Sequence, residues 1–376
     1  MSSEDAKREF EDFFDKAYKE QSPNFEEHIN AALVGKVSAG KSSLLNAILG
    51  CTREDPIAAV GAKSGVTTEV TAYKLDEHVL IIDCPGLDDV RKENSKVTED
   101  FLKAIDLGIF VVTGSADASQ KANFDDLKRN SKKTLVVLNK IDEWDDLEES
   151  AYEGVVEQWK ATLGIDKIYG TCTKGFDPKM RQSAPMDIRG IEELREDIFN
   201  FLNNEGKALL LARHLRRKEN YAVGIIASAI VAVAGEAFIP GSAAYISATQ
   251  LVAITSLNYL YKGEILSKSS ALALLPTFAG ESLGTTAFLW AKSFLPPTLI
   301  LDVAAAGIAV VITFAMLAAV KWMLENEHSL NEKELLRKVF SNFKDIGKEL
   351  KNIKIDDLKN KKNLLAILTR LLTKNV

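Results

Sequence analysis

The stretch Gly35-Lys36-Val37-Ser38-Ala39-Gly40-Lys41-Ser42 decides the fold. It fits the pattern G-x-x-x-x-G-K-[ST]. It lies between the apolar run Ala31-Ala32-Leu33-Val34, read as a short buried strand, and the helix-forming run Lys41 to Leu49, which Gly50 would stop. Glycines let the backbone wrap closely around oxygen anions, and the amide N–H groups and the helix N-terminus point at them. In that arrangement Lys41 reaches β and γ phosphate oxygens and Ser42 ligates Mg²⁺. The cradle expected from the residues is Gly35, Lys36, Val37, Ser38, Ala39, Gly40, Lys41, Ser42 and Ser43.

Outward from this loop, apolar runs at Val79 to Ile82, Leu107 to Val112 and Leu135 to Leu138 alternate with helical patterns, and a weaker strand is expected around Lys167 to Tyr169. The alternation predicts an α/β fold with parallel crossover units in a doubly wound, mostly parallel sheet. Val70 to Leu75 and Val79 to Ile82, separated by Asp76-Glu77-His78, predict an antiparallel edge hairpin. Ile188 to Leu202 reads as a closing helix and Lys207 to Asn220 as a basic helical connector. Near the start, Phe10, Phe13, Phe14 and Ala17 at helical spacing predict an amphipathic helix, which Ser22-Pro23-Asn24 ends.

A phosphate loop alone does not choose the base. Asn139-Lys140-Ile141-Asp142 follows the Leu135 to Leu138 strand. Guanine presents N1–H and the exocyclic amine as paired donors, and a carboxylate such as Asp142 accepts both, whereas adenine offers no such pair. Asn139 would brace the loop and the Lys140 stem would cover the base. Asp83-Cys84-Pro85-Gly86 closes another strand, so Asp83 is expected to hold a water on Mg²⁺ and the Gly86 amide to meet the γ-phosphate. Upstream, Gly65-Val66-Thr67-Thr68 supplies hydroxyls in a loop that closes over the same metal, with Thr68 the first choice of ligand and Thr67 the second.

Taken in order, Gly35 to Ser42, Thr67-Thr68, Asp83 to Gly86 and Asn139 to Asp142 resemble the translation-factor class of small GTPases, especially its Era-like, immunity-related and dynamin-like branches. The resemblance covers about residues 27 to 205 and implies a GTPase that converts GTP to GDP and phosphate with Mg²⁺. By it, Cys172-Thr173-Lys174 sits where the class has Ser-Ala-Lys against the guanine, cysteine being a departure from the common form. Leu87 stands where Ras-type enzymes place a water-orienting Gln, so something else must position the attacking water. Val37 to Ser43 is similar to the dynamin loop, whose serine at the position of Ser38 helps hold a monovalent cation and positions catalytic groups when two G domains meet. The potassium-dependent relatives carry Asn there. Lys41, Ser38, Thr68 and Gly86 are therefore the candidate catalytic set, and self-association through faces around Thr68 and Gly86 is the expected activator.

The chain's 376 residues predict two or three domains. Cys51, Cys84 and Cys172 are few and far apart, which argues against a secreted disulfide framework. A net charge of −6 disfavours nucleic acid as a partner, since phosphate neutralisation needs surplus Lys and Arg. The charged N-terminus lacks the apolar core of a secretory signal, so a cytoplasmic location is expected.

The averages hide an asymmetry. From Tyr221 to Val320 only Glu236, Lys262, Glu264, Lys268, Glu281, Lys292 and Asp302 are charged. Uncharged stretches run from Tyr221 to Gly235, Ala237 to Tyr261 and Val303 to Val320; Pro240-Gly241, Gln250 and Asn258 make the middle one two elements rather than one span. Ala227 to Tyr261, with Ile239-Pro240-Gly241-Ser242 and Gln250, resembles the apolar domain of YcjF-like bacterial proteins, which implies a helical, membrane-associated domain at the cytoplasmic face. A compact bundle buried against itself is the soluble alternative. Lys333 to Val376 carries twelve Lys or Arg against five Asp or Glu, with Leu364, Leu365, Ile367, Leu368, Leu371 and Leu372 in one apolar strip. Such a helix either lies on an anionic membrane or packs on its own protein. The expected organisation is an N-terminal helix (1–26), a G domain (27–205), an apolar helical domain (206–330) and a basic helical tail (331–376). Its function would be a GTP-hydrolysing switch over the helical part, or else a scaffold or anchor that binds GTP and hardly turns it over.

Overall fold

The computed structural model describes residues 3–58, 70–92, 96–176, 180–181, 183–239, 241–279, 299–352 and 360–374. The chain divides into two compact units, Asn24–Arg217 and Met1–Pro23 with Lys218–Val376. The first helix, α1 (Ser3–Gln21), belongs to the second unit.

The Asn24–Arg217 unit is a seven-stranded sheet with helices on both faces. Its elements are β1 (Ile29–Val34), α2 (Lys41–Leu49), β2 (Thr71–Lys74), β3 (Val79–Cys84), α3 (Leu87–Lys92), α4 (Lys96–Lys103), β4 (Ile105–Val112) and α5 (Lys121–Asn130). β5 (Ser131–Asn139), α6 (Glu149–Leu163), β6 (Tyr169–Lys174), β7 (Asp187–Arg189), α7 (Ile191–Asn204) and α8 (Ala208–Ala212) complete it. The strand order is β2-β3-β1-β4-β5-β6-β7, with parallel pairing from β3 through β6 and antiparallel edges at β2 and β7. β1 lies between β3 and β4, so the chain order reverses there, and the crevice beyond its C-terminal end is where open α/β sheets take ligands.

Both faces of the inner strands are apolar, as full burial requires. Val34, Ile82, Cys84, Phe110, Val112, Val136 and Leu138 form one core with Leu87, Val90, Phe124, Leu127, Val155 and Trp159. α2 and α7 pack together, Leu44, Ile48, Leu194 and Ile198 being fully buried.

Three local details depart from the sequence expectation. The strand expected at Lys167 to Tyr169 runs from Tyr169 to Lys174 instead. The closing helix starts at Ile191, because residues 187–189 pair with β6 and Gly190 turns the chain in the left-handed region at φ 73°. The connector is helical only at Ala208–Ala212 before the next helix begins at Glu219. Between them Arg213 and His214 reach Asp76 at 2.9 and 3.0 Å, and Arg216 N–H donates to Leu49 O, which draws that stretch out of a helix.

Lys207 anchors this stretch. Its ammonium donates to His28 O at 2.7 Å and to Asp106 Oδ1 at 2.9 Å, with side chains 9% and 3% exposed. Asp106 also meets Lys132 at 2.9 Å and accepts from Asn30 N–H. Removing one partner of a buried pair strands the other. Lys207→Met is therefore expected to destabilise the full chain by about 3 kcal/mol, the low end for such pairs because Lys132 remains. Urea unfolding followed by tryptophan fluorescence checks this, and a loss under about 1 kcal/mol would contradict the anchor.

The second unit is helical: α1 with α9 (Glu219–Glu236), α10 (Ser242–Lys262), α11 (Lys268–Leu272), α12 (Leu275–Ala279), α13 (Leu299–Glu325), α14 (Lys333–Gly347) and α15 (Lys361–Leu372). α13 packs against α9, α10 and α14, while α1 lies on α10 and α15 on α9. Pro240 lies outside the described residues; Gly241, which opens α10, has φ 74° with Phe13 against it, while Gln250 and Asn258 are inside one continuous α10. Gln250 donates to Thr313 at 2.8 Å, both buried, so a polar pair fixes the α10–α13 register within an apolar core.

Among the described residues two helices are long and apolar enough to cross a membrane, Glu219–Glu236 and Ala304–Glu325, with 44% of the former window and 83% of the latter buried within the protein. In the tail, Leu364, Leu368 and Leu371 of α15 are buried, as are Leu336, Val339, Phe340 and Phe343 of α14. Half of the apolar strip of the tail thus packs on the chain itself, while Leu365, Ile367 and Leu372 are only half-buried.

Candidate functional site

The phosphate loop leaves β1 at Val34 and enters α2 at Lys41, as the strand–glycine–helix pattern requires. Two glycines have no substitute. A Cβ on Gly35 would stand 2.1 Å from Val111 O, and one on Gly40, at φ 86°, would stand 2.3 Å from Asn139 Nδ2. Ser38 is also left-handed at φ 65°, and Lys36, Val37 and Ser38 are exposed while Ala39 is buried. Lys36 pairs with Asp117, whose carboxyl that ammonium holds down to about 2.

Lys41 is folded back across the loop. Its ammonium donates to Gly35 O at 2.8 Å and Lys36 O at 3.2 Å, and lies 3.4 Å from Asp83, the two side chains being 9% and 12% exposed. Ser42 Oγ donates to Asp83 Oδ2 at 2.9 Å. A hydroxyl and a carboxylate side by side are the hard oxygen donors that Mg²⁺ takes when nucleotide phosphates supply the rest, so the residues fit that ion. Ser43, the next residue of α2, is half-buried. Tyr73 on β2 borders this corner. Burial raises its phenol, a hydrogen bond with Ser42 opposes that, and the Asp83 charge adds to the rise. Nothing in the sequence marked Tyr73, since its place depends on the β2–β3 register.

Gly86 is buried between β3 and α3, and a Cβ there would press on Asn123 at 3.1 Å. Leu87 opens α3 with its side chain in the hydrophobic core, 1% exposed. Thr67 and Thr68, with Gly65 and Val66, lie outside the described residues.

The base motif follows β5. Asn139 is fully buried: its amide donates to Ala39 O at 2.9 Å, and its Oδ1 accepts from Thr171 at 3.0 Å and Thr173 at 3.2 Å. One side chain thereby ties the phosphate loop to β6. Lys140 turns the chain at φ 65° into the 3-10 turn Ile141–Trp144. Asp142 meets Cys172 Sγ at 3.4 Å and Lys174 Nζ at 3.2 Å, so Asn139 to Asp142 and Cys172 to Lys174 form one corner. Burial pushes the Cys172 thiol up to about 11, so it is a neutral S–H that donates to the Asp142 carboxylate. The same carboxylate raises Lys174.

The structure therefore gathers Gly35 to Ser43, Asp83, Gly86, Asn139 to Asp142 and Cys172 to Lys174 at the C-terminal edge of one sheet. Sequence reasoning missed Tyr73, the β7 hairpin, and Arg189, whose fork grips Asp145 at 2.6 and 3.0 Å behind the Asp142 turn.

Comparison with known proteins agrees with this geometry. Residues 30–140 match the family described as 50S ribosome-binding GTPase. The chain is 30% identical over 151 residues to GTPase Der of Nautilia profundicola, covering 38% of this chain and 30% of that protein. It is 30% identical over 226 residues to tRNA modification GTPase MnmE of Clostridioides difficile, covering 56% and 44%. It is 34% identical over 145 residues to the Fe(2+) transporter FeoB of Helicobacter pylori, covering 36% and 21%. The chain spans less than half the length of these relatives. The matched part is a P-loop GTPase G domain, and GTPases of this kind use GTP and GDP with Mg²⁺.

Proposed function

We propose, from the premise that residues 30–140 lie in a P-loop GTPase domain, that the whole chain is a GTP-hydrolysing switch whose nucleotide state governs its helical unit. The observation that carries the reading is Asn139, whose buried amide brings the phosphate loop and the base corner into one site. In it the loop amides and Lys41 hold the β and γ phosphates, and Asp142 accepts both guanine donors. Mg²⁺, held by Ser42, by Thr68 and by Asp83 through water, would neutralise charge on the β and γ oxygens. Loss of the γ-phosphate releases the Gly86 amide and the Thr68 loop, and that movement is what the helical unit answers to.

The buried Leu87 favours hydrolysis that depends on pairing of two G domains, as in the dynamin-like branch, because this position supplies no side chain to orient water. Ser38, which is exposed, would help hold a monovalent cation in that pair. The same observation favours a second reading, a scaffold that binds GTP and hardly turns it over. Single-turnover hydrolysis across a protein concentration series separates them: a rate that rises with concentration is expected, and a flat, negligible rate would leave the scaffold.

We place the protein in the cytoplasm. The burial of the Ala304–Glu325 window supports a helical unit packed largely on itself, whose contact with an anionic membrane would be set by nucleotide state. Flotation with anionic vesicles is expected to differ between GDP and a non-hydrolysable GTP analogue. Although the matched family is described as ribosome-binding, the charge of −6 supports no nucleic-acid partner here.

A further inference from the structure

The chain leaving α2 is tied to three other parts of the G unit. Asn46 on α2 accepts from Ile57 N–H and Ala58 N–H at 2.9 and 2.8 Å and donates to Ala58 O at 2.8 Å. Asp55 pairs with Arg216 at 2.9 Å. Arg53 makes the longest reach. Its Nε donates to Gly175 O at 2.5 Å, Nη1 to Arg181 O at 2.9 Å and Nη2 to Ala184 O at 2.8 Å. All three guanidinium nitrogens thus donate to backbone carbonyls between β6 and β7, one of which, Arg181 O, also accepts from Ala184 N–H.

Gly175 directly follows Lys174 and has φ 127°, and a Cβ there would stand 2.8 Å from Met186. The direction in which Cys172 to Lys174 leave the sheet therefore depends on what holds Gly175. From the strand side the holding is done by β7, in register Cys172 with Arg189 and Lys174 with Asp187. From the phosphate side it is done by Arg53. A planar fork of charged donors sets three carbonyls at once, which a lysine ammonium on a flexible stem does not reproduce.

We infer that Arg53 is a positioning residue for guanine recognition: it acts through Gly175, Arg181 and Ala184 to hold the Cys172 to Lys174 corner in register with Asp142. The inference rests on the guanine reading of that corner. Arg53 hangs on the segment that leaves the phosphate helix, so it couples the base half of the site to the phosphate half without touching nucleotide.

The test uses the full chain, fluorescent N-methylanthraniloyl-GDP, and displacement by GDP and by inosine diphosphate, which lacks only the exocyclic amine that Asp142 would read. Arg53→Ala is expected to release the fluorescent nucleotide about tenfold faster, the size of one lost charge-assisted hydrogen bond. It is also expected to shrink the preference for GDP over inosine diphosphate. General loosening of the protein would weaken both ligands alike and leave that ratio unmoved. Arg53→Lys, which keeps the charge and much of the stem, is expected to shrink the ratio too, and decides the matter should Arg53→Ala melt. An unchanged ratio in the folded variants overturns the role of Arg53 while the wild-type preference still stands. A wild-type protein indifferent to the amine overturns the guanine reading, and Arg53 with it.

Discussion

Lys41→Ala is expected to lower affinity for GTP and GDP by roughly 10²- to 10³-fold, the largest single effect in the protein. The ammonium sits among the Gly35 and Lys36 carbonyls and 3.4 Å from Asp83, in a corner nearly closed to solvent. Unit charges at such separations interact by about 4 kcal/mol at an effective dielectric near 20, and each 1.4 kcal/mol is tenfold in affinity. Removing it takes from the cradle the buried ammonium beside Asp83, and with it the side-chain charge that offsets Asp83 and the phosphate oxygens on that side. Fluorescent-GDP titration measures the loss. Because the substitution leaves the helical unit untouched, circular dichroism is expected to retain that unit's helix content. A variant that still binds GDP within threefold of wild type would remove Lys41 from the site.

The second large effect is a change of base. Asp142→Asn is expected to weaken GDP by roughly 10²- to 10³-fold, since two hydrogen bonds to a charged acceptor are worth about 1.5–3 kcal/mol each and an amide makes only one of them. Xanthosine diphosphate carries a carbonyl where guanine has its amine, so the amide N–H₂ of the variant meets an acceptor there. The order of the two nucleotides in a displacement titration is expected to reverse. Lys174, more than half exposed, loses its partner with little consequence for folding. If GDP remains preferred, Asp142 is not what reads the base.

Much of this site could be read before any coordinates existed, and for a definable reason. Gly35, Gly40, Lys41, Ser42, Asn139 and Asp142 lie at a strand end or in the turn from a strand into the start of the next helix, so their spacing along the chain is also their spacing in the fold. Arg53 is different: its carbonyl partners lie 122 to 131 residues away, and nothing local distinguishes it from a solvated arginine. Tyr73 depends on pairing across a hairpin, and residues 187–189 are too few to show the alternation of a strand. The helical unit was the least legible part. A helix apolar on all sides, such as α13, looks alike whether its neighbours are helices or lipid, and only the 83% burial of its apolar window shows how much is spent on the chain itself. The same ambiguity hid the assignment of α1, whose Phe10, Phe13 and Phe14 specify an apolar partner without naming it.

That partner has a consequence for how the protein is made. Phe14 and Ala17 of α1 are covered by Ala244, Ala248 and Leu251 of α10 and by Ala271. Translation at about 5–20 residues per second delivers α10 some 10–40 s after α1 has emerged, with the nucleotide-binding unit synthesised in between. Throughout that interval the leading helix trails from the ribosome with its aromatic stripe wet, a waiting ligand for any chaperone that scans nascent chains, and for a second newborn copy of the same polypeptide.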